Sequence, residues 1–151
     1  MTVDTRLATA TDVPVLLALV EQYWRFEGIE GFDPDRIGSV LRRALADEKL
    51  GRAWIADIDG TPAGYLFVVF VISLEHGGLT AEIDEFFVVP ENRGQAVGAR
   101  LLAEAETACR AAGCTNIALQ LARENESARR FYRRMGYSER HGYELLDKDL
   151  D

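Results

Sequence analysis

Three carboxylates interrupt an otherwise apolar run from Ala81 to Val88, which has the composition of a β-strand. They are Glu82, Asp84 and Glu85. Carboxylates are costly in a central strand unless they are solvated or paired, which disfavours a purely structural role. A carboxylate can accept a proton from an ammonium group, directly or through water. Regular alternation predicts Glu82 and Asp84 on the same face as Val88, with Glu85 on the opposite face.

The same strand runs into a glycine-containing turn, residues 93–98, which opens directly into an amphipathic helix. The first N–H groups of a helix lack intrahelical partners, and with the positive end of the helix dipole they form an anion site suited to phosphate. Gly94 and Gly98 leave room for a ligand to approach the backbone. An Arg-Gly turn before a helix is also ordinary, so a plain connection remains an alternative.

A second segment, residues 125–137, gives this turn a context. Together the two segments resemble the GNAT superfamily of acyl-CoA-dependent N-acyltransferases. The family's phosphate-loop pattern, Gln/Arg-x-x-Gly-x-Gly/Ala, falls on residues 93–98. The later pattern, Asn-x-x-Ala-x-x-Phe-Tyr-x-x-x-Gly-Phe/Tyr, falls on Asn125, Ala128, Phe131, Tyr132, Gly136 and Tyr137. Ala96 departs from the usual middle glycine; it is harmless with ordinary helical dihedrals, but its methyl could crowd the pyrophosphate.

The resemblance implies one N-acetyltransferase domain over residues 1–151, with an α+β fold. The expected sheet is mixed and mostly antiparallel, with six to seven strands and four flanking helices. In this family the strands matching 81–89 and 116–122 splay apart, and the pantetheine arm of acetyl-CoA pairs with backbone near Val88. The cofactor-binding residues implied are Phe87, Val88, Val89, Arg93, Gly94, Gln95, Ala96, Val97, Gly98, Ala99, Asn125 and Phe131. Acetyl-CoA is the implied co-substrate, and no metal is expected.

The resemblance also implies direct transfer of an acetyl group to a primary amine. Glu82 is the favoured base and Asp84 the second, the latter because residues 84–88 resemble the polyamine-acetylating branch; both acids could instead bind substrate without taking its proton. The N–H of Val88 would polarise the thioester carbonyl. Tyr132 is the predicted general acid, since a phenol with a pKa of ~10 can protonate a thiolate whose thiol has a pKa of ~8.5. A core tyrosine with its hydroxyl satisfied is the alternative.

Charge is distributed unevenly along the chain, whose formal net charge is −8. Residues 93–140 carry nine Arg and five acidic side chains, whereas the remainder carries eight basic and twenty acidic ones. This pattern indicates an anionic cofactor on one side and a cationic amine on the other, although the arginines at 129–134 also fit a solvated helix face. The predicted acceptor-binding residues are Trp24, Glu27 and Glu85, since aromatic rings can hold an ammonium. Packing of a helix end explains Trp24 equally well.

These features favour a small cationic acceptor such as a diamine, a polyamine or an aminoglycoside-like compound. The alternatives are a protein amino terminus or lysine as acceptor, or a non-catalytic acyl-CoA-binding regulatory module. The acidic balance argues against nucleic-acid binding, and no apolar run reaches the length of a membrane span. The first residues lack a secretory signal pattern, so a cytoplasmic protein is expected. A homodimer is expected from family habit and exposed final strands.

Hydrophobic periodicity and turn residues predict the elements that position these groups. Helices are expected from Thr11 or Asp12, from Asp33-Pro34, over about 98–112 and over 127–135. Strands are expected over 2–8, 53–58, 64–73, 81–89 and 116–122, with one or two more from Tyr137 to about Leu150. Asp59-Gly60 is a predicted hairpin turn. The predicted buried stripes of the first two helices are Val13, Leu16, Leu17, Val20 and Trp24, then Ile37, Val40, Leu41 and Leu45.

Overall fold

The computed structural model describes residues 1–94 and 96–150, in two compact units, residues 1–120 and residues 121 onward. The first unit contains, in chain order, β1 (Val3–Leu7), α1 (Val13–Glu27), α2 (Pro34–Leu45), β2 (Gly51–Ile58), β3 (Thr61–Ser73), β4 (Gly78–Val88), α3 (Val97–Ala111) and β5 (Ile117–Leu119). The second unit contains α4 (Glu126–Arg134). Short 3₁₀ turns precede α1 and follow β4.

The described residues form one mixed sheet of five strands in the order β1-β2-β3-β4-β5. All neighbouring pairs are antiparallel except β4 and β5, which run parallel. The predicted α+β class is confirmed, but six to seven strands is wrong, since residues 137–150 form no strand. The apolar side chains of that segment are exposed, and a strand depends on neighbours against which to pack. They are Tyr143, Leu145, Leu146 and Leu150.

The sheet buries both of its faces. α1 and α2 cover the face that carries Ile55, Tyr65 and Phe87, and we call this the α1 face. α3 packs on the opposite face, which we call the α3 face, where Leu101 is fully buried. The two faces therefore hold separate layers of core on the same strands.

Local sequence explains where most elements begin and end. The helix predicted from Asp33-Pro34 is confirmed, and the Asp33 carboxylate caps it by accepting the N–H groups of Asp35 and Arg36 at 3.0 and 3.3 Å. The hairpin turn is confirmed, with positive φ at both Asp59 and Gly60. Val40, however, is exposed, because the buried stripe of α2 runs through Gly38, Leu41 and Ala44 instead.

No helix in the described ranges combines the length and the hydropathy that crossing a membrane would require.

Candidate active site

The ladder between β3 and β4 contains a β-bulge at Asp84. Val68 pairs with Ile83 and Phe67 pairs with Glu85, so Asp84 is an extra residue on β4. A bulge of this kind shifts the alternation of side chains by one position on the strand that carries it. Positions two apart on β4 therefore no longer share a face of the sheet when Asp84 lies between them.

The bulge places Glu82 and Glu85 on the same face of the sheet. Their partners on β3, Val69 and Phe67, are two residues apart and so point to the same side, which is the α1 face. On β4 itself they are three positions apart, because the bulge at Asp84 lies between them. The α1 face thus receives two acidic side chains from one strand.

The predicted faces of this strand are therefore wrong. The prediction grouped Glu82 and Asp84 with Val88 and put Glu85 opposite, because it assumed an unbroken ladder. Val88 in fact pairs with Gly64, and a Cβ added at Gly64 would lie 3.4 Å from a side chain of α3. Val88 therefore belongs to the α3 face, and the two glutamates lie opposite it.

Pairing between β4 and β5 ends half-way along β4. The last parallel partners are Ile83 and Leu119, whereas β4 continues to Val88. The N–H of Val89 donates to the carbonyl of Ala63 at 2.8 Å, which makes Ala63 and Val89 a hydrogen-bonded pair of the ladder. The adjacent Val88 is then in a non-hydrogen-bonded position, with its N–H and C=O directed away from β3. They face the side where the pairing with β5 has ended.

Glu82 lies at the last paired positions before this fork. Its partner on β5 is Ala118, and the side-chain amide of Gln120 donates to its carboxylate at 3.4 Å. Glu82 is half-buried, whereas Ala118 and Gln120 are exposed. Sequence reasoning missed Gln120, although same-face spacing on a parallel neighbour of Glu82 could have indicated it.

Glu85 is held by two donors on the α1 face. The indole N–H of Trp24 donates to Oε2 at 2.8 Å, and the hydroxyl of Tyr65 donates to Oε1 at 2.7 Å. Burial raises the pKa of Glu85, while these two hydrogen bonds act in the opposite direction. Burial, the charge of Glu85 and the hydrogen bond to it raise the pKa of Tyr65 as well. Sequence reasoning missed Tyr65, whose partner is 20 residues away.

The remaining predicted acids are more exposed. Asp84 is an exposed side chain at the bulge, but partial burial still raises its pKa. Glu27 is exposed at the last position of α1. Burial raises the pKa of nearby Tyr23 to about 12, with further contributions from the charges of Glu27 and Glu85. The structure therefore gathers several acidic groups around the end of α1.

The predicted phosphate loop has two left-handed residues among its described positions. Gly94 has a φ of 80°, and Ala96, immediately before α3, has a φ of 64° and a ψ of 13°. Ordinary helical dihedrals at Ala96 are thus excluded, and this conformation costs a non-glycine residue about 1 kcal/mol. Gln95 lies outside the described residues. Val97 is buried at the start of α3, with Gly98 and Ala99 half-buried in its first turn.

The side chain of Arg93 spans the edge of β4. Its Nε donates to the carbonyl oxygen of Val88 at 3.0 Å. Its guanidinium lies over the ring of Phe26, 4.5 Å from the centroid, and 5.7 Å from that of Phe87. A cationic group therefore contacts the β4 backbone where β5 no longer pairs, together with an aromatic residue of α1.

The second unit contains the other predicted site residues. Asn125 caps α4 by accepting the N–H of Ala128 at 3.1 Å. The ring of Tyr132 packs edge-on against Phe131, with centroids 5.3 Å apart, and lies 5.6 Å from Tyr137. These contacts make an aromatic group from α4 and the segment just after it, and the role of Tyr132 as general acid stays a prediction.

Two of the α4 arginines are not simply solvated. Arg129 and Arg133 both form ion pairs with Glu139. A hydrogen bond from its own backbone and these arginines lower the pKa of Glu139. Besides a cofactor patch and a solvated helix face, a third interpretation is therefore that part of this charge stabilises α4.

A family model described as the acetyltransferase (GNAT) family matches residues 16–137. This match covers most of the chain. The chain belongs to the GNAT acetyltransferase family. The resemblance read from the two motifs is thereby confirmed.

Individual relatives agree with this assignment. Aminoalkylphosphonate N-acetyltransferase of Salmonella typhimurium is 36% identical over 83 residues, which are 55% of this chain and 54% of that protein. The match thus spans about half the length of this relative. The crystal structure of an integron cassette protein from the mobile metagenome of Cole Harbour Salt Marsh superposes with a TM-score of 0.86 at 28% identity, covering 97% of this chain and 90% of that one.

A third similarity is to the fold alone. The structure of a predicted acetyltransferase with acetyl-CoA from Clostridium acetobutylicum has a TM-score of 0.82 at 18% identity, covering 97% of this chain and 96% of that one. Within residues 1–94 and 96–150, no three His, Cys, Asp or Glu side chains are grouped so that they could hold a metal ion.

Proposed function

We propose that this protein transfers the acetyl group of acetyl-CoA directly to a primary amine of a small cationic acceptor. The observation that carries the proposal is the fork between β4 and β5. Pairing ends at Ile83, the backbone of Val88 faces the resulting gap, and Glu82 lies one position before the last pair. A strand edge that stops pairing beside a carboxylate offers both a backbone site for a ligand and a proton acceptor.

The described residues fit a coenzyme A thioester. The Val88 N–H and C=O face the gap, as an extended amide-containing arm would need for strand-like pairing. Gly94 is left-handed and has open space where a Cβ would lie, so a diphosphate can approach the backbone before α3. Bound acetyl-CoA would supply the activated acetyl group as a thioester. We assign cofactor binding to these groups and to the predicted residues of loop 93–99.

The acid and base roles follow from the chemistry of the transfer. An alkyl ammonium with a pKa near ~10.4 must lose a proton before its nitrogen can form a bond to carbon. We assign that proton to Glu82, which is half-buried on the α1 face, with Asp84 as the second candidate. The N–H of Val88 would stabilise charge on the carbonyl oxygen, and Tyr132 would protonate the sulfur when the carbon–sulfur bond breaks.

A cationic acceptor is favoured by the groups on the α1 face. Glu82 and Glu85 share this face, and Trp24 donates to Glu85. A diamine, polyamine or aminoglycoside-like amine would meet this charge with complementary charge. The Salmonella relative is named for aminoalkylphosphonates. Such compounds also carry a primary amine, but their negatively charged phosphonate would be repelled by the carboxylates of Glu82 and Glu85.

A thiol-release assay tests the proposal. Purified protein is mixed with acetyl-CoA and one amine at a time: a diamine, a polyamine, an aminoglycoside, a short aminoalkylphosphonate and a peptide with a free amino terminus and a lysine. We expect release of free thiol, fastest with diamine or polyamine. A preference for the phosphonate or for neutral amines would refute the cationic acceptor. Release with the peptide alone would indicate a protein acetyltransferase.

The same preparation distinguishes an enzyme from a regulatory module. Calorimetric titration with coenzyme A reports cofactor binding without turnover. Binding with no thiol release for any amine would support the acyl-CoA-binding module. Absence of both binding and release would remove acetyl-CoA from the account.

We also propose that the protein forms a homodimer. The support is the exposed apolar set Tyr143, Leu145, Leu146 and Leu150 near the end of the chain. Light scattering coupled to size-exclusion chromatography measures the mass directly. A monomer mass at assay concentrations would refute the proposal.

A further inference from the structure

The carboxylate of Glu85 joins the sheet core to the end of α1. Its Oε1 accepts the Tyr65 hydroxyl at 2.7 Å, and its Oε2 accepts the Trp24 N–H at 2.8 Å. Tyr65 is 1% exposed, so one end of this connection is fixed in the core. Trp24 is half-buried and 61 residues away in sequence. A half-buried carboxylate that accepts from two donors at once rigidifies both of them.

Trp24 is also held on its ring. Phe32, in the segment between α1 and α2, packs edge-on against it with ring centroids 5.8 Å apart. The two rings form an aromatic corner, and Glu85 determines the rotation of the indole within it. Among aromatic side chains, tryptophan binds a cation over its face most strongly.

This corner lies on the same face of the sheet as the proposed base. Glu82 and Glu85 are three positions apart on β4, and the bulge between them places both on the α1 face. Trp24 donates to Glu85, so the indole lies on the face of the sheet that also carries Glu82. Both carboxylate oxygens of Glu85 already accept a donor, which favours an effect on the substrate through Trp24 rather than by direct contact.

We propose that Glu85 is a positioning residue, which orients Trp24 so that the Trp24–Phe32 corner receives a second cationic group of the acceptor. This inference rests on the proposed function, in which the attacking amine is at Glu82. It assigns a specificity role to a residue pair that sequence reasoning had only grouped as acceptor-binding. The negative charge of Glu85 at the N–H edge of the indole strengthens the preference for a cation over a neutral group.

The test compares two acceptors of equal length, a diamine and the amino alcohol in which a hydroxyl replaces one amine. Glu85→Gln keeps a group of the same shape but removes the charge. Trp24→Phe keeps a ring but removes the N–H donor.

Each of these two variants should raise KM for the diamine about tenfold, while KM for the amino alcohol changes less than twofold. The kcat values and KM for acetyl-CoA should stay within about twofold. Glu21→Gln, an exposed site earlier on α1, is the matched control and should match wild type.

Equal changes for the two acceptors, or no change for either, would overturn the proposal and leave a structural role for the pair. Trp24→Leu removes the aromatic face and should abolish the preference for the diamine. A retained preference would also contradict the proposal.

If wild-type protein transfers acetyl to no amine, the proposed function fails separately. In that case quenching of tryptophan fluorescence by the diamine, absent in Trp24→Phe, still measures binding at the corner. Quenching that persists in Trp24→Phe would overturn the proposal.

Discussion

The two parts of β4 on either side of Asp84 differ in how they are paired. Just before the bulge, Ala81, Glu82 and Ile83 pair with β3 on one side and with β5 on the other. After it, the strand pairs only with β3 among the described strands, and the Val88 carbonyl is contacted by Arg93 instead. The part paired on both sides therefore carries Glu82, and the part paired on one side leaves the backbone of Val88 open to a ligand.

The largest effect is expected from removing the charge just before the bulge. Glu82→Gln should lower kcat of the proposed transfer a hundredfold or more, since a positioned base contributes about 10²–10⁴-fold. Asp84→Asn, two residues further on, should lower it less than tenfold. Thiol release under saturating acetyl-CoA measures both. The reverse ranking would make Asp84 the base, and full activity in both variants would remove acid–base catalysis from this strand.

The part after the bulge depends on a close approach of backbone. A Cβ at Gly64 would lie 2.6 Å from the carbonyl oxygen of Phe87, which cannot move without disturbing the ladder. Gly64→Ala should lower the free energy of unfolding by about 1–3 kcal/mol, as overpacking does, and should weaken coenzyme A binding. Urea denaturation and calorimetry measure the two quantities.

Gly38→Ala in α2 is the control for that change. The nearest atoms to its added Cβ are 3.4 Å away, and they belong to side chains. Because alanine also favours a helix interior, the stability of this variant should equal or exceed that of wild type. Equal stability of both variants would show that the close approach of Gly64 to the carbonyl oxygen of Phe87 does not require a glycine.

The loop beyond β4 contains a strained alanine. Ala96→Gly should relieve the left-handed conformation and raise the free energy of unfolding by about 0.5–1 kcal/mol, the net of relieved strain and added chain entropy. For a chain of this size that corresponds to a Tm rise of about 1–4 °C. Ala103→Gly, at an exposed position inside α3, should instead lower Tm. A lower Tm for Ala96→Gly would contradict the assigned backbone conformation.

The smallest effect concerns the bulge itself. The pKa of Asp84 is raised in the folded state, so the folded protein holds this proton more tightly than the unfolded chain does. Wild type therefore loses a little stability as pH rises from the ordinary Asp pKa through the raised value, and Asp84→Asn does not. The variant should gain in Tm over wild type at pH 7 and lose that gain at pH 3. Because the side chain is exposed, the gain should correspond to less than about 0.5 kcal/mol. A Tm difference between Asp84→Asn and wild type that stays constant from pH 3 to pH 7 would contradict a raised pKa at Asp84.

Local signals in the sequence predicted the elements, and non-local contacts decided the site. The Asp33 cap, the Asp59-Gly60 turn and the two family motifs depend on residues close in sequence. The bulge at Asp84 does not, because it is defined by how β4 pairs with β3, which the residues of β4 alone do not specify. The partners of Glu85 also could not be predicted, since Trp24 is 61 residues away. The final strands failed because apolar residues form a strand only with a partner to pack against.

A crystal structure with bound coenzyme A tests the central claim most directly, namely that the cofactor pairs with β4 where β5 has left it. We predict that the pantetheine arm hydrogen-bonds the backbone of Val88 and that the Arg93 side chain no longer contacts the Val88 carbonyl. The diphosphate should contact the N–H groups of residues 94–98. A cofactor bound elsewhere, with the contact between Arg93 and Val88 intact, would contradict the account.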